Sequence, residues 1–109
     1  MDALTPLTFS ILVALADAPR HGYGIIKEIE TRTGRGSAPS TGALYLALQR
    51  MEAEGLIEPS KKRPSDADAR RRYWALTRGG REAARAESRR LATVLEAARQ
   101  KDLIAGDPA

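Results

Sequence analysis

The residues in this chain that could do chemistry are suited to recognition, not to bond making. Gly42, Leu46, Gln49 and Ala53, flanked by Tyr45 and Arg50, alternate with Leu44, Leu48 and Met51. At about 100° per residue of helix, those last three fall within about 60° of one another and turn inward, so the first set faces out. A glutamine on such a face can pair bidentately with adenine, an arginine can reach guanine or a phosphate, and a leucine can touch thymine methyls. Ser40 and Thr41 add hydroxyls and free backbone N–H groups at the start of the same helix, where phosphate is favoured. Gly42 lets the backbone come close. An ordinary amphipathic helix with a wet outer face would account for Gln49 and Arg50, but it leaves Tyr45 and Leu46 exposed without a reason.

A second set lies just downstream. Lys61, Lys62, Arg63, Arg70, Arg71 and Arg72 stand against Asp66 and Asp68, a local excess of +4. The chain as a whole has 18 Lys and Arg against 14 Asp and Glu, so the formal charge of +4 is that one segment and everything else cancels. An isolated basic cluster on a neutral domain suits a polyanion, through phosphate or minor-groove contacts. The alternative is a charged sheet edge that discourages aggregation. Asp66 and Asp68 would repel phosphate, which directs contacts to the arms of the segment and away from its tip.

Catalytic chemistry is poorly supplied. There is one histidine and no cysteine, which excludes disulfides, thiolate metal sites and the His pairs of zinc hydrolases. His21 has no nearby nucleophile and carboxylate to work with, so neither an enzyme nor a metal or cofactor site is expected. Tyr23, next to it, is expected in the core. No apolar run approaches the roughly 18–20 residues that span a bilayer, and Met1-Asp2-Ala3 lacks the basic start of a signal peptide, so a cytoplasmic protein with no membrane partner is expected.

These residues need a scaffold to hold them. Thr5-Pro6 caps and opens a first helix, with Thr8, Ile11, Leu12 and Leu15 at helical spacing and Phe9 beside them; Ala18-Pro19 stops it. A second helix runs from Gly22 to about Arg32, with Tyr23, Ile26 and Ile29 inward and Lys27, Glu28 and Glu30 outward. After the breaker-rich stretch 34–39, Ser40 caps a third helix from Thr41 to about Glu54, closed by Gly55. Leu56 to Lys62 is extended, Pro64 to Ala69 is turn chemistry, and Arg70 to Leu76 returns as a strand. By alternation Arg72, Trp74 and Leu76 share one face, and Arg71, Tyr73 and Ala75 the other. Trp74 anchors the hairpin, and Pro59 marks its first strand as an exposed edge.

Thr77 caps a last helix to about Lys101, roughly 36 Å long at 1.5 Å per residue. That is more than a domain of this size covers. Its second half has an apolar stripe, Leu91, Val94, Leu95 and Ala98, which needs another surface, most simply the same helix of a second subunit. Arg78, Arg81, Arg85 and Arg89 form a like-charged row on its first half, expected to be a solvated face paired with acids of a partner subunit, with a contact to flanking DNA as the alternative. With 109 residues there is room for one core. The order helix, helix, helix, hairpin, long helix is a winged helix-turn-helix: mainly α, with a two-stranded β wing and a long C-terminal dimerisation helix. We divide it into a DNA-binding domain at 1–76, the dimerisation helix at 77–104 and a frayed tail at 105–109. A winged-helix module binding an acidic protein through the same wing is the competing reading, and it would not retard duplex DNA.

The chain also resembles the PadR family of bacterial transcriptional regulators. The resemblance rests on Leu4-Thr5-Pro6, His21-Gly22-Tyr23, the run from Gly42 to Glu52 with Glu54-Gly55-Leu56-Ile57, and Arg72 to Thr77 with Gly80-Arg81, and covers about Leu4 to Leu95. It implies a homodimeric repressor that reads a palindromic double-stranded operator, and a small aromatic or cationic compound as a candidate effector. The family often has Pro where Thr41 and Leu46 stand. The long helix here carries no aromatic residue, so Trp74, Phe9 or Tyr73 would have to supply any stacking on an effector.

Overall fold

The computed structural model describes residues 4–34, 36, 38–62 and 71–104. Helix α1 (Pro6–Ala14), strand β1 (Arg20–His21), helices α2 (Gly22–Thr33) and α3 (Thr41–Ala53), strands β2 (Ile57–Pro59) and β3 (Tyr73–Leu76) and helix α4 (Arg78–Gln100) follow in that order. The architecture is mainly helical, with a small antiparallel sheet of order β1-β3-β2 and a long last helix.

Each helix start follows from a local side chain. Thr5 Oγ1 accepts the Thr8 N–H at 3.1 Å, Ser40 Oγ the Ala43 N–H at 3.1 Å, and Thr77 Oγ1 the Gly80 N–H at 2.9 Å. Each removes one donor left open in a first turn. The fourth cap is His21, whose Nδ1 accepts the Gly24 N–H at 3.0 Å. α3 ends as its glycine indicates: Gly55 takes φ +78°, its N–H meets Glu52 O at 3.0 Å, and the Leu56 N–H meets Met51 O at 2.9 Å. This paired closure turns the chain directly into β2.

Two expectations about the helices are corrected. α1 stops at Ala14, not at Ala18-Pro19. The Leu15 N–H is shared between Ile11 O and Leu12 O, Ala16 N–H turns to Val13 O, and Arg20 Nε binds Ala14 O at 2.8 Å, so the end is closed by tight bonds and a side chain before proline is reached. In α2 the buried row is Gly22, Ile25 and Ile29; of the three residues expected inward, Ile29 is buried and Ile26 packs partly buried against the core, and only Tyr23 is misplaced. Tyr23 is 55% exposed. Spacings of three and four bring Gly22, Ile25 and Ile29 to one side, and Tyr23 then projects away.

The sheet has a third strand that the sequence reading lacked. β1 pairs with β3, Arg20 opposite Trp74 and His21 opposite Tyr73, while β2 pairs with the other edge of β3, Ile57 opposite Leu76 and Pro59 opposite Trp74. Pro59 thus sits on an edge strand, where its missing N–H costs no ladder bond. With β3 central, Tyr73 and Trp74 are both buried, at 5% and 4% exposure, and strict inside–outside alternation is lost. Phe9 is half-buried.

The core gathers Ile11, Leu12, Ile25, Leu44, Leu48, Met51, Ile57 and Trp74. α4 is set on this core by Gly80, whose missing side chain leaves room for the Leu56 carbonyl; a Cβ there would collide with it. Ala83 is buried beside the same cluster. Glu87 is buried too, with its carboxylate held by Arg90 at 2.6 and 2.9 Å. Beyond Glu87 the helix leaves the domain: only Leu91 and Ala98 are even partly covered, and the molecule measures 50 × 30 × 25 Å.

Candidate nucleic-acid interface

α3 presents the row expected of it. Leu44, Ala47, Leu48 and Met51 are buried, while Thr41, Gly42, Tyr45, Leu46, Gln49, Arg50 and Ala53 are exposed, with Ser40 at the cap also exposed. Leu46 is 65% exposed. An ideal Cβ on Gly42 would have nothing within 4 Å, so this face is open to a close approach. Ser40 Oγ spends its acceptor on the cap, which leaves its O–H available as a donor. Arg50 points to the flank, lining a groove with Thr5, Thr8, Glu54, Gly79 and Glu82, so it sits apart from the outermost ridge of Leu46 and Gln49.

Tyr45 has a structural use that its spacing did not reveal. A Cβ on Gly22 would lie 2.7 Å from the Tyr45 hydroxyl oxygen and 3.0 Å from Cζ. The ring tip therefore rests on the bare backbone at the start of α2, and Gly22 is what lets α2 and α3 approach.

The four described basic residues, Lys61, Lys62, Arg71 and Arg72, sit beside the paired strands and not on them, where basic β arms were expected. β2 ends at Pro59, so Lys61 and Lys62 follow it; β3 starts at Tyr73, so Arg71 and Arg72 precede it. One further bond, Ser60 N–H to Tyr73 O at 2.8 Å, extends the pairing. Ser60 Oγ then turns the chain by accepting the Lys62 N–H at 3.1 Å. All four basic side chains are exposed. Arg63 and Arg70, with Asp66 and Asp68, lie outside the described residues. Arg72 is not loose: its guanidinium stacks over the Trp74 ring, Cζ 4.7 Å from the centroid, as the shared face required. Arg71 reaches across to His21, Nη1 to Nε2 at 2.8 Å, and lies 5.9 Å from the centre of the Tyr23 ring.

The arginine row on α4 divides. Arg78 pairs with Glu82 at 3.5 Å and Arg81 donates to Ala16 O at 3.2 Å, so these two are used within the chain, while Arg85 and Arg89 are exposed. Two carboxylates are held below the ordinary range. Hydrogen bonds from the Arg90 guanidinium, and then the Leu4 N–H, do this for Glu87, whose partner Arg90 is raised. The Arg20 guanidinium does it for Asp17. Arg20 also binds Glu28 at 2.8 Å, tying the turn after α1 to α2. Among the described residues no helix is long and apolar enough to cross a membrane.

Residues 11–86 match the transcriptional regulator PadR-like family. The chain belongs to that family. The family is one of transcriptional regulators, and this PadR-like chain has its winged-helix fold. A PadR family transcription regulator from Clostridium difficile superposes with a TM-score of 0.75 at 25% identity, covering 88% of this chain and 97% of that one. A PadR-like transcriptional regulator from Bacillus cereus gives 0.73 at 25% identity over 93% of each chain. An uncharacterised 37.1 kDa transposon protein of Streptomyces fradiae is 42% identical over 82 residues; the match spans 75% of this PadR-like chain and 22% of that protein.

Proposed function

We propose that this PadR-like regulator is a homodimeric repressor of a palindromic operator. Leu46 and Gln49 read bases in the major groove, and Ser40, Thr41 and Gly42 bring the start of α3 to the backbone. Tyr45 and Arg50 flank the reading ridge. Lys61, Lys62, Arg63, Arg70, Arg71 and Arg72 hold phosphates from the wing. The observation that carries the reading is the outer row of α3: an exposed leucine beside an exposed glutamine, on a helix whose other side is fully buried. Solvent gives that leucine no reason to be there, and a thymine methyl does.

The second subunit supplies the cover for Leu91, Val94, Leu95 and Ala98. Val94 and Leu95 are 53% and 54% exposed, an expensive surface for a lone chain. Two copies related by a two-fold axis present two α3 helices to successive major grooves. A small aromatic or cationic effector releases the complex. Selection of bound sequences from a random duplex pool tests the reading. The expected result is a palindrome with half-sites about 10 bp apart or a multiple of that. Enrichment of a single asymmetric site, or of none, would overturn it.

A further inference from the structure

The geometry points to Trp74 as the residue that positions Arg72, holding its guanidinium ready for a two-pronged hydrogen bond to one phosphate of the duplex backbone. The inference rests on the DNA-binding reading and deepens it: Trp74 stays off the DNA and acts through Arg72.

The platform is fixed by packing. Trp74 is buried and belongs to the core cluster. Its backbone has a neighbour on each side, Arg20 of β1 and Pro59 of β2. Three strands and the core therefore hold the indole in place. Arg72 stands two residues earlier, on the same face of the chain and just before β3 begins. Its Cζ lies 4.7 Å from the centre of the indole. At that distance a ring face attracts a cation, and indole does so most strongly of the aromatic side chains.

The contact orders the guanidinium without using its donors. Among the described residues none of the five N–H groups of Arg72 is spent on a hydrogen bond, and no carboxylate neutralises it. Other arginines are committed within the chain: Arg20, Arg32, Arg78 and Arg90 each face an acid, and Arg81 donates to Ala16 O. Arg72 is thus exposed, charged and already held. Its planar fork matches two oxygens of a phosphate. Lys61 and Lys62 are exposed too, but each is a point charge on a flexible stem that must be ordered on binding. A side chain ordered beforehand loses less freedom when it meets its ligand.

The test uses the full chain and a short mixed-sequence duplex, with binding followed against salt concentration. Arg72→Ala should weaken binding about tenfold and lower the slope of log K against log salt by about 1. Arg72→Lys keeps the charge and therefore the slope, yet should bind about fivefold more weakly than the wild type because it lacks the fork. Trp74→Leu should weaken binding about threefold, the equivalent of one cation–π contact at an exposed site. Trp74→Phe, which keeps most of the buried ring, should fall between Trp74→Leu and the wild type, and it carries the test if the leucine variant does not fold. In an Arg72→Ala background neither change at Trp74 should weaken binding further. Trp74 is the single tryptophan of the chain, so its emission reports on the contact. Arg72→Ala should shift that emission to the red by uncovering the ring, and saturating the wild type with duplex should not. Wild-type affinity in Arg72→Lys, a Trp74 effect that persists without Arg72, or a red shift on DNA binding equal to that of Arg72→Ala would overturn the positioning role: Arg72 would then be a cover for the core. A wild-type chain that fails to retard any duplex at low salt would sink the DNA-binding reading itself, a separate outcome.

Discussion

At the scale of single residues, the same types do different work according to what lies beside them. Gln49 and Arg50 are neighbours on α3, yet Gln49 stands on the open ridge and Arg50 lines a groove against α1 and α4. The specificity prediction therefore falls on Gln49. Gln49→Ala should cost roughly 1–3 kcal/mol of discrimination at one base pair if it pairs bidentately, and little elsewhere in the site. Competition binding with operator variants measures this; an unchanged preference at every base pair removes Gln49 from the reading set. Glu87 makes a different prediction. Its carboxyl is held low by Arg90 and by the Leu4 N–H, so the folded state prefers it ionised. Its contribution to stability is present above its ordinary value of 4.5 and is lost as pH falls through the lower folded value. Asp17, lowered by Arg20, has the same sign. Melting temperature should therefore fall on acidification below about pH 4.5, and Glu87→Gln should reduce that fall. An acid limb identical to that of the wild type would show that the charge of Glu87 is immaterial.

At the scale of elements, the central strand explains most of what differs from a simple hairpin. A two-residue strand such as Arg20–His21 has no alternation to read, and it exists because β3 has a free edge for it. Once β1 is in place, Trp74 is covered on the core side and capped by Arg72, and its indole Nε1 is left buried without an acceptor among the described residues. That orphan donor offsets part of what the ring contributes by packing. Trp74→Ala should destabilise the fold by about 3–5 kcal/mol. Trp74→Phe should cost much less, since it keeps most of the buried ring area and removes the unpaired donor. Denaturant unfolding of the two variants checks this, and equal losses would mean that the indole nitrogen is satisfied in solution. The wing then has a short paired base with Lys61, Lys62, Arg71 and Arg72 lying beyond the pairing, an arrangement suited to following a phosphate backbone.

At the scale of the whole molecule, α4 is the feature that the rest of the fold does not account for. Its first turns are buried by Gly80, Ala83 and Glu87, and its last three turns touch almost nothing. A 23-residue helix is about 34 Å long, against a domain only 25–30 Å across in its shorter dimensions. Leu95→Asp places a charge in the middle of the exposed stripe, on a residue outside the domain core. It should yield a folded monomer in sedimentation analysis and lose operator binding, because a single half-site gives up the gain of linked binding. A Leu95→Asp chain that stays dimeric would move the interface elsewhere.

The division between sequence and tertiary structure follows the range of the interactions. Thr5, Ser40 and Thr77 cap helices through bonds to residues three positions on, and Gly55 closes α3 through its own φ, so all four are legible in the local sequence. The inward row of α3 is as plain, because Leu44, Leu48 and Met51 repeat at the helical period. The sequence by itself thus determined the order of the four helices and the hairpin, the outward face of α3 and the excess length of α4. Tertiary structure decided the rest: which way α2 is rotated, so that Tyr23 faces out; that His21 joins a sheet; and that Arg71 meets His21. Those contacts join residues some fifty positions apart, or depend on which side of a helix the core selects. No local propensity encodes either one; both are set when the elements pack.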